Sequence, residues 1–293
     1  MRVCDRYLSP TTVDIALEMM LEAGDQGAIV AGGTDLLLEI QQGLRPPVET
    51  LIDVSGIPEL QILEELDNTF LIGAGVTHSQ VMENATLVQQ ATCLTEACGL
   101  VGGPQVRNVA TVGGNVAHAL PAGDTIIAML ALNARVQLAA PEGRRWASLD
   151  TLFSGPGEVT FDRQRELLVA FRVELAEGHE ASVFRRVMRP QGVAIAIMNM
   201  ALWLELDRSK VVQTFRLAVG PAGPQPFMAH AVNQVMRGRP MDHVSVNMAH
   251  HLLQEEVSLR TSRHRATQEY REHLLGNLLE EVIDLAQRRI GLE

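Results

Sequence analysis

Thr111-Val-Gly-Gly-Asn115, followed closely by Pro121-Ala-Gly-Asp124, is the stretch on which the reading of this chain turns. Gly113 and Gly114 lack Cβ atoms and permit positive φ, so consecutive backbone N–H groups can converge on an anion. Thr111 and Asn115 add side-chain donors at either edge, with Val112 between them. Asp124 either caps the helix suggested by Asp124 to Leu132 or accepts hydrogen bonds from a ribose diol. Taken alone, the segment reads equally well as an ordinary strand-to-helix turn. Its functional reading is half of a cradle for a diphosphate.

A second unit of the same kind lies about eighty residues earlier. Gly27-Ala28-Ile29-Val30-Ala31 has the character of a short buried strand, ends in Gly32-Gly33-Thr34-Asp35, and runs into the helical stretch Leu36-Leu-Leu-Glu-Ile40. Thr34 is placed to cap that helix, and Asp35 fits its first turn, where the macrodipole favours a carboxylate. Gly32 and Gly33 would turn N–H groups toward a phosphate at the helix N-terminus. Two such loops can serve one extended anionic ligand, whereas either alone is as readily a turn.

Composition excludes several functions. Twenty-four Lys and Arg stand against thirty-five Asp and Glu, for a formal charge of −11, which argues against a surface that tracks nucleic-acid phosphates. No stretch approaches the roughly 20 apolar residues of a transmembrane helix, and Met1 to Pro10 lacks the apolar run of a signal peptide, so the expectation is a cytoplasmic protein. Cys4, Cys93 and Cys98 are too few for an iron–sulfur cluster and lack the spacing of a structural zinc site, so no metal ligands are assigned. Cys93 and Cys98 fall in a helical segment, Leu87 to Gly99, as small buried hydrophobes.

Elsewhere, Thr11 to Ala23 has helical spacing, and Thr50 to Val54 and Thr69 to Gly73 read as strands. His78 starts a helix after Thr77 and has no partner near it in sequence, so it reads as a helix-start residue and not as a base. Arg107 either offsets phosphate charge or pins its loop to a carboxylate. Arg135 to Ala139 and Leu167 to Val173 are further strands. Past a polar break at Glu177 to Glu180 the character changes. Ser182 to Val187, Ala194 to Leu206 and Val211 to Val219 suggest an antiparallel sheet with a turn at Asp207 to Lys210, and Val246 to Glu256 and Thr267 to Ile290 suggest helices. The expected domains are 1–177 and 178–293.

Together, Ile29-Val-Ala-Gly-Gly-Thr-Asp-Leu36, Arg107-Asn-Val-Ala-Thr-Val-Gly-Gly-Asn115 and Pro121-Ala-Gly-Asp124 resemble the FAD-binding medium subunit of molybdenum hydroxylases, the xanthine dehydrogenase and aerobic carbon monoxide dehydrogenase type. The late Tyr270-Arg271 fits the same family, so the resemblance spans nearly the whole chain. It implies an α+β fold: a two-part FAD-binding domain of the vanillyl-alcohol-oxidase type, then an α+β C-terminal domain with an antiparallel sheet and helices. It implies that FAD is held by Ala28 through Asp35, by Thr111, Val112, Gly113, Gly114 and Asn115, and by Asp124. Val101, and Leu167 or Leu168 with Leu168 preferred, follow as further cofactor contacts.

The resemblance also implies partners: a large molybdopterin subunit for the substrate chemistry and a small [2Fe–2S] subunit that delivers electrons to this chain's FAD and on to an external acceptor. No catalytic residue is then required here, because the flavin carries the redox chemistry. There are departures from the family pattern. Arg185 stands where many relatives carry a lysine near the flavin, Gln191 to Ala194 lacks their acid, and His118 and Leu120 replace commoner Asn and Ser. The rival readings are a stand-alone flavin oxidoreductase and a non-catalytic nucleotide-binding assembly module.

Overall fold

The computed structural model describes residues 2–190, 195–263 and 265–291. The chain opens with β1 (Cys4–Leu8) and α1 (Val13–Ala23). Thr12 caps α1 by accepting from the Ile15 N–H at 3.3 Å, and its apolar residues Val13, Ala16, Leu17 and Met20 are buried. β2 (Gly27–Val30), α2 (Leu36–Gln41) and β3 (Val48–Asp53) follow, and the strands form a parallel sheet in the order β1-β3-β2. β1 escaped the sequence reading because it is an edge strand whose middle three residues are exposed, leaving no apolar signature.

A larger antiparallel sheet comes next. β4 (Leu63–Leu66) and β5 (Thr69–Gly73) form a hairpin, followed by α3 (His78–Glu83), α4 (Ala85–Gln90), α5 (Thr92–Leu100), α6 (Pro104–Arg107), α7 (Val112–His118) and α8 (Asp124–Ala131). β6 (Arg135–Ala140), β7 (Gly143–Ser148) and β10 (Leu167–Glu174) complete it, in the order β4-β5-β10-β6-β7, while β8 (Phe153–Gly155) and β9 (Glu158–Val159) pair only with each other. The single helix expected over Leu87 to Gly99 is two, broken at Ala91, whose ψ of 45° leaves the helical range. The break lets α5 pack on the C-terminal sheet, where the Cys93 N–H donates to Ser182 Oγ at 3.2 Å.

β10 divides this first region into two. Leu168, Phe171 and Val173 enter the large core with α5 and α8, whereas Leu167, Val169 and Ala170 enter a smaller core with α1 and β3. Both faces are covered, so the strand reads as a continuous apolar run instead of alternating.

The C-terminal sheet is β11 (Glu180–Val187), β12 (Met198–Leu206), β13 (Val212–Gly220) and β14 (Phe227–Met228), antiparallel in that order. At the β12–β13 turn Asp207 Oδ1 accepts from the N–H groups of Ser209 at 2.8 Å and Val211 at 2.9 Å. β12 begins at Met198, with Ile195 to Ile197 outside the strand; the expected start at Ala194, like all of Gln191 to Ala194, lies outside the described residues. α9 (His230–Met236), α10 (His243–Glu256) and α11 (Gln268–Ile290) cover one face of the sheet. α5 and α8 of the first region cover the other, so Ala201 and Trp203 belong to the first core and Met200, Leu202 and Leu204 to the second. α11 buries Leu274, Leu275, Leu278, Leu279, Val282 and Ile283, each worth about 1.5–3 kcal/mol on burial.

Candidate functional site

The first glycine loop leaves β2 from a fixed register, Gly27↔Thr50 to Val30↔Asp53 on β3, so Ala28, Ile29 and Val30 form its rigid base. After Ala31 the chain turns through Gly33 at φ +66°, a conformation open to glycine at little cost. The backbone N–H groups of Gly32, Gly33, Thr34 and Asp35 have no acceptor among the described residues. Thr34 does not cap α2 as the sequence suggested. Asp35 occupies the N-cap position, and its side chain makes no capping bond either. The helical bonds start from the Gly33 carbonyl, accepting from Leu37 at 3.0 Å, so the turn before α2 carries donors that no described protein group uses.

The two glycine loops touch. A Cβ on Gly32 would lie 2.0 Å from the Val109 carbonyl oxygen and 2.8 Å from the Ala110 Cα, so only glycine fits there. His118, at the end of α7, places Nδ1 3.9 Å from Glu39 Oε1 on α2, a second contact between the two glycine-loop units.

The second loop works differently from the expected N–H cradle. Val112 to Asn115 already form the first turn of α7, with Thr111 as its cap, and neither Gly113 nor Gly114 has positive φ. Their N–H groups are spent internally: Val112 to the Val76 carbonyl at 2.9 Å, Gly113 to Ala74 at 2.9 Å, Gly114 to Thr111 Oγ1 at 3.0 Å and Asn115 to the Thr111 carbonyl at 3.0 Å. Gly113 is required by packing, since a Cβ there would meet the Ala74 carbonyl oxygen at 2.5 Å. What this loop offers a ligand is side chains. Thr111 has a hydroxyl proton free to donate to a phosphate, and the Asn115 Oδ1, buried without a partner, is an acceptor suited to a ligand hydroxyl or N–H and not to a phosphate oxygen. Arg107 pins the preceding turn, donating to the carbonyls of Val101 at 3.2 Å and Gly102 at 2.9 Å and not to a carboxylate. Leu168 is buried in β10, within the large core.

Asp124 is neither a helix cap nor open to solvent. Gly123 is the N-cap of α8, and the Asp124 side chain is 7 % exposed. It is gripped from the C-terminal sheet by an ion pair with Arg186 and by the Asn199 amide, which donates to Oδ1 at 2.6 Å. Burial pushes its carboxyl above the ordinary range, against the opposing pull of Arg186 and Asn199.

The expected cation, Arg185, is held elsewhere, by Glu96 at 3.1 Å, Glu281 at 3.0 Å and its neighbour's carbonyl, Phe184 O, at 2.7 Å. Strand alternation accounts for the difference: Phe184 and Arg186 face the first region, while Arg185, between them, reaches Glu281 on α11 as well as Glu96 on α5. Arg186, Asn199 and Glu96 escaped the sequence reading because nothing local marks them; their partners lie 62, 75 and about ninety residues away.

His78 is also not the isolated residue its sequence neighbourhood suggested. Its Nδ1 lies 3.4 Å from Cys98 Sγ and 3.5 Å from Thr125 Oγ1, in a pocket 1 % exposed, and burial, aided by Arg107, brings its pKa down to about 4. It is a neutral core residue. Burial pushes the thiols of Cys93 and Cys98 up to about 12, which makes them inert packing groups. Among the described residues no group of His, Cys, Asp and Glu is arranged to hold a metal. A surface depression along β7 and the 162–166 turn shares no residue with the glycine loops.

A donor-rich turn touching a second loop of hydroxyl and amide side chains suits an extended diphosphate. Residues 2–173 match the family model described as FAD binding domain in molybdopterin dehydrogenase. The chain belongs to this family. Residues 182–286 match the CO dehydrogenase flavoprotein C-terminal domain. The xanthine dehydrogenase FAD-binding subunit of Escherichia coli O157:H7 is 28% identical over 288 residues, 97% of each chain. The carbon monoxide dehydrogenase medium chain of Hydrogenophaga pseudoflava is 31% identical over 186 residues, 64% of each. Among solved structures, carbon monoxide dehydrogenase from H. pseudoflava superposes with a TM-score of 0.92 at 24% identity, covering 99% of both chains, which bears on the fold alone. The protein is thus an FAD-binding medium subunit of the molybdenum hydroxylase type, an oxidoreductase subunit whose cofactor is FAD. No helix among the described residues is long and apolar enough to cross a membrane.

Proposed function

We propose that this chain passes electrons from [2Fe–2S] clusters on a small partner subunit, through its own FAD, to an external acceptor, while a large molybdopterin subunit oxidises the substrate. The observation that carries the reading is the run of unspent N–H donors from Gly32 to Asp35, held against the Val109–Ala110 segment in a chain of this family. The backbone of Gly32 to Asp35 would hold the diphosphate, with Thr111 and Asn115 at its flank. Ala28 to Ala31, Val112, Gly113 and Gly114 would support the two loops. Val101 and Leu168 are assigned to the walls of the site. Asp124 and Arg186 are assigned to its flavin end, with Arg186 taking the role expected of Arg185.

FAD, when bound, supplies the capacity to take up and release electrons; this chain's residues bind it, orient it and set the charge around it. Neither a proton-transfer base nor a metal ligand is assigned to this chain, and its place is the cytoplasm. The domain division is assigned to 177/178, between the spans of the two family models. Purification from the native host tests the proposal. A complex of three chains, with molybdenum and [2Fe–2S] on the other two and FAD on this one, supports it. A solitary yellow chain that oxidises a small substrate unaided would replace it with a stand-alone oxidoreductase.

A further inference from the structure

Asn199, the second residue of β12, is fully buried, and its side chain reaches into the first region of the chain. Its Nδ2 spends both hydrogens there, on the Ala122 carbonyl at 3.2 Å and on Asp124 Oδ1 at 2.6 Å. Both partners only accept, so the amide has one orientation. Its Oδ1 is left buried with no donor among the described residues. An amide whose acceptor goes unpaired is costlier in a core than an apolar residue of the same size, so packing alone does not account for Asn199.

The strand beside it is shaped for the same turn. Gly220 of β13 stands opposite Asn199 in the register, and a Cβ there would lie 2.5 Å from both Asn199 Oδ1 and the Pro121 carbonyl oxygen. The turn also meets the second glycine loop, since a Cβ on Gly123 would come within 3.3 Å of Asn115 Oδ1 on α7. Pro121 to Asp124 is therefore packed against both that loop and the C-terminal sheet. β11 completes the grip. Arg186 pairs with Asp124, and the strand is anchored just before it, where Glu96 of α5 accepts from the Phe184 N–H at 2.9 Å and from Arg185 Nη1 at 3.1 Å.

We propose that Asn199 is a positioning residue of the flavin site: by fixing the Pro121–Asp124 turn and the direction of the Asp124 carboxylate, it makes FAD retention depend on the C-terminal sheet. The inference rests on the placement of Asp124 at the flavin end. Asn199 acts through Asp124 and not on the cofactor. A hydrogen bond to a carboxylate is among the stronger kinds, and without it the turn and its acid lose the one neutral group that ties them to β12, while Arg186 still supplies the charge.

The test uses the full chain loaded with FAD. Flavin fluorescence gives the FAD dissociation constant, the bound flavin's midpoint potential and visible spectrum are recorded, and the flavin-free protein is unfolded in urea. Asn199→Leu removes the amide at similar size, and Asn199→Ser is a smaller polar change that keeps the test open should the leucine variant not fold. Val282→Ala, a change in the buried face of α11, is the structural control. The Asn199 variants are expected to bind FAD about tenfold or more weakly and to shift the potential and absorption bands of the flavin they retain. Val282→Ala should lower stability and leave the flavin as it is. Flavin binding, potential and spectrum unchanged in the Asn199 variants, or changed no more than in Val282→Ala, would overturn the proposal. Asp124→Asn separates it from the reading beneath it. If that change alters the flavin and the Asn199 changes do not, only the role of Asn199 fails; if none does, the flavin-end placement of Asp124 fails with it.

Discussion

The carbonyl oxygen of Val109 lies 2.0 Å from where a Cβ on Gly32 would stand, so the two glycine loops are one packed unit. Gly32→Ala therefore has to separate them. Gly33→Ala places a side chain at φ +66°, costing about 1–2 kcal/mol, and against Leu37 as well. Both variants are expected to lose most of their flavin, measured as the visible absorbance per chain, while far-UV circular dichroism still reports a folded protein.

Gly113 and Gly114 are neighbours with different duties. A Cβ on Gly113 collides with Ala74 at 2.5 Å, whereas on exposed Gly114 it meets only Thr111 Oγ1 at 3.0 Å. Gly113→Ala should destabilise by about 1–3 kcal/mol, as overpacking does, and Gly114→Ala by less. Urea unfolding of the two proteins side by side measures the difference.

Adjacent arginines give a third prediction. The Arg186–Asp124 pair is buried, with side chains 6% and 7% exposed, so Arg186→Ala strands a carboxylate and should cost about 3–5 kcal/mol. Arg185 is 31% exposed, its partner Glu281 is 55% exposed, and its other partner Glu96 keeps an ion pair with Arg289, so Arg185→Ala should cost about 0–1 kcal/mol. Equal effects in denaturant titrations would contradict the assignment of inward and outward faces of β11.

His78 sets a pH dependence. Its folded pKa, about 4, lies below the unfolded value of 6.5, so between these values the unfolded chain binds more protons. Stability from this residue is complete above pH 6.5 and falls as pH drops toward 4, by about 3 kcal/mol in full. His78→Gln should flatten the stability curve over that window, read as unfolding free energy at pH 7, 6 and 5.

Much of this was legible in the sequence wherever the signal was local. Thr12, Thr77 and Thr267 cap helices whose starts the sequence placed at or beside them, and the apolar spacing of Leu274 to Leu285 located α11. Both glycine loops were visible, but their chemistry was not. Whether an N–H is free depends on what packs opposite, and Ala74 and Val76, which consume the donors of Gly113 and Val112, lie nearly forty residues away. The choice between Arg185 and Arg186 likewise turns on one residue of strand register, which reverses the face a side chain occupies. Arg186, Asn199 and Asp124 meet only because β11 and β12 lie across α8.

The order in which centres are reduced in the assembled complex tests the central claim most directly. With reducing substrate and no external acceptor, rapid-mixing spectroscopy should show flavin bleaching only when the [2Fe–2S] partner is present. A Gly33→Ala complex lacking flavin should still reduce its clusters but not pass electrons to the acceptor. Flavin reduction by substrate in this chain alone, or undiminished transfer to the acceptor in the flavin-free complex, would contradict the account.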